Sequence, residues 1–138
     1  MAGFKARGRI SGGGYTIQDL TYKDTETLTA GDIVNLESGE IDLAATADTN
    51  LIGLVLETQA GTDSTTKAKV IIDPDLILGV TDANARVKGA TLDLTGSTGA
   101  QGVTTSSNKE FVVWAASGAT EETQVVFNIG KHHHNKAQ

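Results

Sequence analysis

The residues best suited to do chemistry are three adjacent histidines, His132, His133 and His134. A native metal site needs imidazoles that converge from a rigid frame, with further partners that hold the rings. Adjacent histidines between Lys131 and Lys136 lack such a frame. We therefore expect adventitious metal binding at most, although a threefold assembly could gather three copies of the run around its axis.

Closely spaced carboxylates are the second candidate for chemistry. Three pairs occur in the chain, at Glu40 and Asp42, Asp73 and Asp75, and Glu121 and Glu122. The first two pairs could bind Ca²⁺ or serve as acid and base, but the twelve-residue calcium-loop pattern is absent. We interpret these pairs as solvated acids at strand ends.

Three common kinds of catalytic or nucleotide-binding site lack their essential residues. The chain has no cysteine, so a thiol nucleophile and cysteine-based metal sites are excluded. All three histidines lie at 132–134, which leaves a serine hydrolase without a base elsewhere in the chain. The glycines at 12–14 are followed by Tyr15 and not by the Lys-Ser/Thr of a phosphate loop. The sequence predicts a protein that is not an enzyme and needs no cofactor.

Charge is unevenly distributed along the chain. Residues 1–14 carry Lys5, Arg7 and Arg9 and no acid, whereas all 17 acids lie within residues 15–130. An acidic body disfavours nucleic acid, which requires a concentrated basic face. No segment approaches the ~18 apolar residues of a membrane span. We expect neither nucleic acid nor membrane as a partner.

The elements that would position these residues are short strands. Abundant Thr and Gly favour strands joined by turns, and helix signals are few, with one helical turn at most near 82–88. Gly53 lies inside an apolar run and indicates a bulge or a close backbone approach. The stretch 96–107 is typical of an exposed loop. Strands are predicted at 16–22, 33–37, 41–43, 51–56, 68–73, 91–95, 111–114 and 123–129, the last with Val125, Phe127 and Ile129 on one side.

This pattern predicts one all-β domain over residues 15–130, with a polar tail at 131–138. The first 14 residues have no usable period and contain several glycines, so we predict a flexible, extended basic arm. At ~3.3 Å per residue, such an arm reaches roughly 45 Å, far enough to contact a neighbouring molecule. The residues predicted to contact a partner are Phe4, Lys5, Arg7, Arg9, Ile10 and Tyr15.

Several short motifs in a fixed order carry a family resemblance. Residues 29–36 read TAGDIVNL, residues 51–58 read LIGLVLET, Ala60-Gly61 follows, and residues 69–72 read KVII. This succession resembles the head decoration, or capsid cement, proteins of tailed bacteriophages. The similarity covers about residues 27–73, and the order of the motifs carries it.

The resemblance implies a small β-barrel or a β-tulip or jelly-roll-like domain. It also implies a homotrimer on the outer surface of the virion capsid, which bridges neighbouring major capsid subunits and stabilises the expanded shell. Such a role needs buried contact surface and no catalytic residue.

Two other functions remain open at this point. A β-sandwich module that binds carbohydrate or a cell surface would expose aromatic residues in a groove, which the aromatic content of 4% disfavours. Another virion component, such as a tail or fibre protein, would assemble into rings or filaments.

Overall fold

The computed structural model describes residues 3–23, 26–58, 66–105 and 107–133. Within these ranges eleven strands form two antiparallel sheets, with essentially no helix. In chain order the strands are β1 (Lys5–Arg9), β2 (Ile17–Thr21), β3 (Ile33–Glu37), β4 (Glu40–Leu43), β5 (Leu51–Thr58), β6 (Lys67–Ile71), β7 (Leu76–Thr81), β8 (Thr91–Thr95), β9 (Gly102–Thr104), β10 (Phe111–Ala115) and β11 (Glu122–Phe127). One sheet has the order β1-β7-β11-β10-β8-β9 and the other β2-β6-β5-β3-β4.

The main hydrophobic core lies between the two sheets. The five-stranded sheet contributes Ile33, Leu54 and Ile71, and the six-stranded sheet contributes alternate residues of its strands, such as Phe111 and Phe127. On β10 and β11 buried and partly exposed residues alternate, as expected for strands with one covered face. The uncovered face of the six-stranded sheet is called the outer face below.

A second hydrophobic cluster covers the opposite face of the five-stranded sheet, with Tyr22 and Leu28 packed over Val34 and Val70. The edges of this sheet approach each other, because Tyr22 forms a single parallel bridge with Ile41 of β4. The prediction of an all-β fold is confirmed. The sheets do not form a closed barrel, and a sandwich-like arrangement describes them better.

Each of the eight strands predicted from the sequence is present in the structure, whereas β1, β7 and β9 were not predicted. Gly53 packs against β6 so tightly that a Cβ would overlap the carbonyl oxygen of Ile71, which confirms the predicted close approach. The stretch 96–107 differs from the predicted loop, since it contains β9 and the buried Gln101. No helical turn occurs at 82–88, where Arg86 instead forms a bridge with Ser117. The predicted turn at 60–61 lies outside the described residues.

The N-terminal segment belongs to the fold, which replaces the predicted flexible arm. β1 pairs with β7, and Phe4 is 2% exposed with its ring 5.3 Å from that of Phe111. The N-terminal segment is ordered because the chain itself supplies a strand edge and an apolar site to which the segment can bind. β7 offers a strand edge, and the core offers an apolar site for Phe4. Both are held in the same molecule at high effective concentration.

The predicted polar tail is also partly integrated, as far as the structure describes it. The Lys131 carbonyl accepts a hydrogen bond from Leu51 N at 2.9 Å. His132 is fully buried, with Nε2 2.8 Å from the Ile52 carbonyl oxygen and its ring against Phe127. His132 is therefore a structural residue of the core. His134 and the residues after it are not among those described.

Candidate interaction site

Residues 10–16, called the anchored loop, connect β1 to β2 and are held by Arg9 at their start. The Arg9 guanidinium donates through Nε to Asp75 Oδ1 at 2.8 Å and lies 3.5 Å from Asp73 Oδ1. It also donates to the Gly14 carbonyl at 3.0 Å. One side chain thus ties the loop to the two acids between β6 and β7.

The same two acids bind the loop backbone. Asp75 Oδ2 accepts from Ser11 N at 3.0 Å, and Asp73 Oδ2 accepts from Thr16 N at 2.8 Å. Burial raises the pKa of Asp75, but the hydrogen bonds from Arg9 and Ser11 outweigh it and hold that pKa below its usual value. The loop is therefore ordered without a partner.

β1 itself is tied to the sheet by a bidentate ion pair that crosses β7. Arg7 donates through Nε to Glu122 Oε2 at 2.8 Å and through Nη2 to Oε1 at 2.5 Å. The Glu122 carboxylate lies over Gly79, where any Cβ would collide with it. The hydrogen bonds from Arg7 lower the pKa of Glu122 and raise that of the arginine. The two arginines of this segment thus contact acids of their own chain.

The anchored loop presents apolar side chains to solvent. Ile10 is 48% exposed and Tyr15 41%, and Ile17, the first residue of β2, is 47% exposed. Within the described part of the chain these are three of the six large hydrophobic residues that are exposed. Scattered exposed apolar residues are ordinary, but Ile10 and Tyr15 lie on one ordered loop, which makes the loop a candidate interaction surface.

Beside the loop, an open groove of about 230 Å³ runs across the end of the outer face. Its lining comes from the loop, the β6–β7 connection, β11 and the turn after it, and consists of Ile10, Pro74, Asp75, Val126, Phe127 and Ile129. Val126 points outward because its neighbours Val125 and Phe127 point into the core. Ile129 was predicted on the inner side, but β11 ends at Phe127 and the chain then turns.

The structure separates the six predicted contact residues into three groups. Phe4 is in the core and is not available to a partner. Arg7 and Arg9 are held in the internal ion pairs described above. Lys5, Ile10 and Tyr15 are exposed, so their contact with a partner stays a prediction.

Buried carboxylates elsewhere in the fold bind backbone amides. Asp93 Oδ1 accepts from Lys109 N at 2.6 Å, and Glu110 accepts from Leu94 N at 2.8 Å and from Ala47 N at 3.1 Å. These bonds join the loop after β4 to β8 and to the start of β10. Among the described residues, no group of three or more His, Asp or Glu side chains is placed to hold a metal ion.

Sequence reasoning missed two parts of this site. The only signal for Asp73 and Asp75 as anchors was charge, since any ion pair of the acid-free segment 1–14 must use an acid from residues 15–130. The outward position of Ile129 had no local signal other than Gly130, which ends the strand pattern.

No helix in the described ranges is long and apolar enough to cross a bilayer. The chain matches no protein-family model, and no curated protein matches it.

Proposed function

We propose that this protein is a non-enzymatic structural component of a virion that binds the outside of a phage head. In this role a homotrimer bridges neighbouring major capsid subunits and stabilises the expanded shell. The observation that carries the proposal is the anchored loop with its exposed Ile10 and Tyr15. The order of motifs over residues 27–73 resembles that of capsid decoration proteins, and from this resemblance we infer that the partner is the major capsid subunit.

An ordered loop suits a binding role because little conformational freedom is lost when it docks. Arg9, Asp73 and Asp75 hold the loop in one conformation before any partner arrives. Burial of apolar side chains contributes about 25 cal/mol per Å² of apolar surface removed from water. Repeated over many copies, such contacts must all be broken before a shell can open.

β1 offers a second means of attachment. It is the edge strand of the six-stranded sheet, paired on one side only with β7. An unpaired edge can accept a strand from another protein, and main-chain hydrogen bonds then supply affinity. β1 can therefore pair with a strand of another protein through its free edge while it stays paired with β7.

Co-sedimentation with expanded heads, followed by electron microscopy, tests the proposal. We expect the protein to saturate the heads and to raise the temperature at which they open. An Ile10→Asp/Tyr15→Asp variant should bind much less, while Val87→Asp, which changes an apolar residue that is still more exposed at 70%, should bind as the wild type does. Failure of the wild-type protein to bind heads would refute the proposal.

A further inference from the structure

The β3–β4 hairpin carries oxygen-bearing side chains on one face. Asn35 pairs directly with Asp42, and Glu37 pairs with Glu40. Successive residues of a strand point to opposite faces, so these four side chains share the face turned away from Val34 and the second hydrophobic cluster. This face, called the hairpin face below, thus offers one amide and three carboxylate groups.

Two oxygens of the hairpin face are buried without a hydrogen-bond partner. They are Asn35 Oδ1 and Asp42 Oδ1, the only such side-chain atoms in the described part of the chain. Asn35 is 9% exposed, and Asp42 is partly buried, although the sequence predicted a solvated acid there. Directly opposite residues of antiparallel strands have Cβ atoms about 4.5–5.5 Å apart, so the two groups are neighbours. Two adjacent buried acceptors that lack a donor point to a ligand that both can bind.

The surroundings of Asp42 carry an excess of negative charge. Burial raises the pKa of Asp42, and Lys23 opposes this effect in part. The carboxylates of Glu26, Glu37 and Asp48 raise that pKa further. The Lys23 ammonium itself lies 2.8 Å from Glu37 Oε1, and Asp42 Oδ1 has no hydrogen bond from it. Four carboxylates therefore surround a single ammonium group, and their charge is only partly balanced.

An open polar cavity of about 420 Å³ lies beside the hairpin face. It is lined by residues 35–38 of the hairpin and 47–50 of the loop that precedes β5. The lining includes Asn35 and the acids Glu37 and Asp48. The loop is held in place, since Asp48 Oδ2 accepts from Ala45 N at 2.9 Å. The buried amide of Asn35 thus borders a space large enough for an ion and its water ligands.

We propose that Asn35 Oδ1 and Asp42 Oδ1 bind a divalent cation of the Ca²⁺ type. Carboxylate and amide oxygens are the ligands that Ca²⁺ prefers, and its flexible coordination tolerates an irregular site completed by water. Within the described ranges no third carboxylate is placed to join these two groups. Water from the cavity therefore fills the other positions, while Glu37 and Asp48 attract the ion electrostatically. The bound cation joins β3 to β4 and compensates the buried charge, a role that does not depend on the proposed function.

Calorimetric titration of the purified protein with CaCl₂ at neutral pH and constant ionic strength tests the site. We expect one Ca²⁺ to bind per chain and the denaturation temperature to rise with Ca²⁺ concentration, because a ligand of the folded state alone stabilises it. Asp42→Asn and Asn35→Leu should each weaken binding about tenfold or more. Asp19→Asn removes an exposed acid on β2 and should bind Ca²⁺ as the wild type does.

The Asp42→Asn variant also shows that a loss of binding does not come from unfolding. It replaces a buried, poorly compensated charge with a neutral group of nearly the same shape. Without Ca²⁺ this variant should therefore be at least as stable as the wild type in urea. With Ca²⁺ the urea midpoint should rise for the wild type and for Asp19→Asn, but not for Asp42→Asn.

Three results would overturn the proposal. The first is a wild-type protein that binds no Ca²⁺ and gains no stability from it. The second is an equal loss of binding in Asp19→Asn and Asp42→Asn, which would show diffuse attraction of Ca²⁺ to an acidic chain. The third is a proton on Asp42 that it donates to Asn35 Oδ1 at neutral pH, which NMR titration of the Asp42 carboxyl carbon detects, with no change when Ca²⁺ is added.

Discussion

The side-chain amide of Gln101 forms two hydrogen bonds with the backbone of Ile33, as a neighbouring strand would. Ile33 N donates to Gln101 Oε1 at 2.5 Å, and Gln101 Nε2 donates to the Ile33 carbonyl at 3.1 Å. Nε2 also donates to the Ala44 carbonyl at 3.0 Å. One buried side chain thus completes the pairing of β3 and links it to the segment that precedes β9.

Replacing this amide should be costly. Gln101→Leu removes the partner of the Ile33 amide and the bond from Nε2 to the Ala44 carbonyl, while the Ile33 carbonyl keeps its bond from Ala44 N. Each buried group left without a partner costs about 1–3 kcal/mol. We expect urea denaturation to show a loss on the order of 3 kcal/mol. Gln18→Leu, on the exposed edge strand β2, is the matched control and should change stability little. Equal stability of the two variants would contradict this account of Gln101.

Phe4 should contribute strongly to the stability of the fold. Removing a buried phenylalanine side chain costs about 3–5 kcal/mol, and Phe4→Ala should fall in that range. Ile10→Ala, only a few residues away but 48% exposed, should cost much less. Thermal denaturation of both variants measures the difference. If Phe4→Ala were as stable as the wild type, the segment would behave as a free arm after all.

Gly53 and Gly102 form a matched pair of strand glycines. A Cβ at Gly53 would overlap the Ile71 carbonyl oxygen, whereas one at Gly102 would meet no atom within 4 Å. Gly53→Ala must therefore separate β5 from β6, and we expect it to unfold the protein or to yield only insoluble chain. Gly102→Ala should stay within about 1 kcal/mol of the wild type, because an open strand position tolerates a methyl group. Circular dichroism and soluble yield distinguish the two outcomes.

The Arg7–Glu122 ion pair should stabilise the fold in a pH-dependent manner. Because the pKa of Glu122 is lowered in the folded state, the pair stabilises the fold above the ordinary glutamate pKa of about 4.3 and loses this effect as pH falls through the folded value. Arg7→Met should thus lower the urea midpoint slightly at neutral pH and not at strongly acidic pH. In a Glu122→Gln background the same substitution should show no such pH dependence. A pH-independent effect in the wild-type background would contradict the pair.

Local sequence pattern predicted those strands whose signal is local. β3, β5 and β11 have apolar runs or alternation that read directly as strands. The sequence of β1 reads KARGR and has no apolar period, so only its pairing with β7 makes it a strand. β7 was not predicted, because Pro74 was interpreted as the end of regular strand pairing. The apolar residues that follow Pro74 nevertheless have the pattern of a buried strand.

The sequence likewise predicted only those parts of the candidate site that depend on local pattern. Ile10 and Tyr15 were predicted to contact a partner, and the structure shows that both are exposed. Asp73, Asp75 and Ile129 depend on which distant segments meet in space, and no pattern within a few residues of them contains that information. Charge was the remaining clue, since residues 1–14 carry three cations and no acid, so any ion pair that they form must use an acid from elsewhere in the chain.

The pairing of β1 with β7 has a consequence for biosynthesis. Lys5–Arg9 leaves the ribosome before its strand partner, which begins at Leu76, and before Phe111 and Phe127, whose rings pack in line with Phe4. Contacts so far apart in sequence form slowly. β1 therefore cannot be placed until these later segments have been synthesised, and until then it is open to proteases and to chaperones.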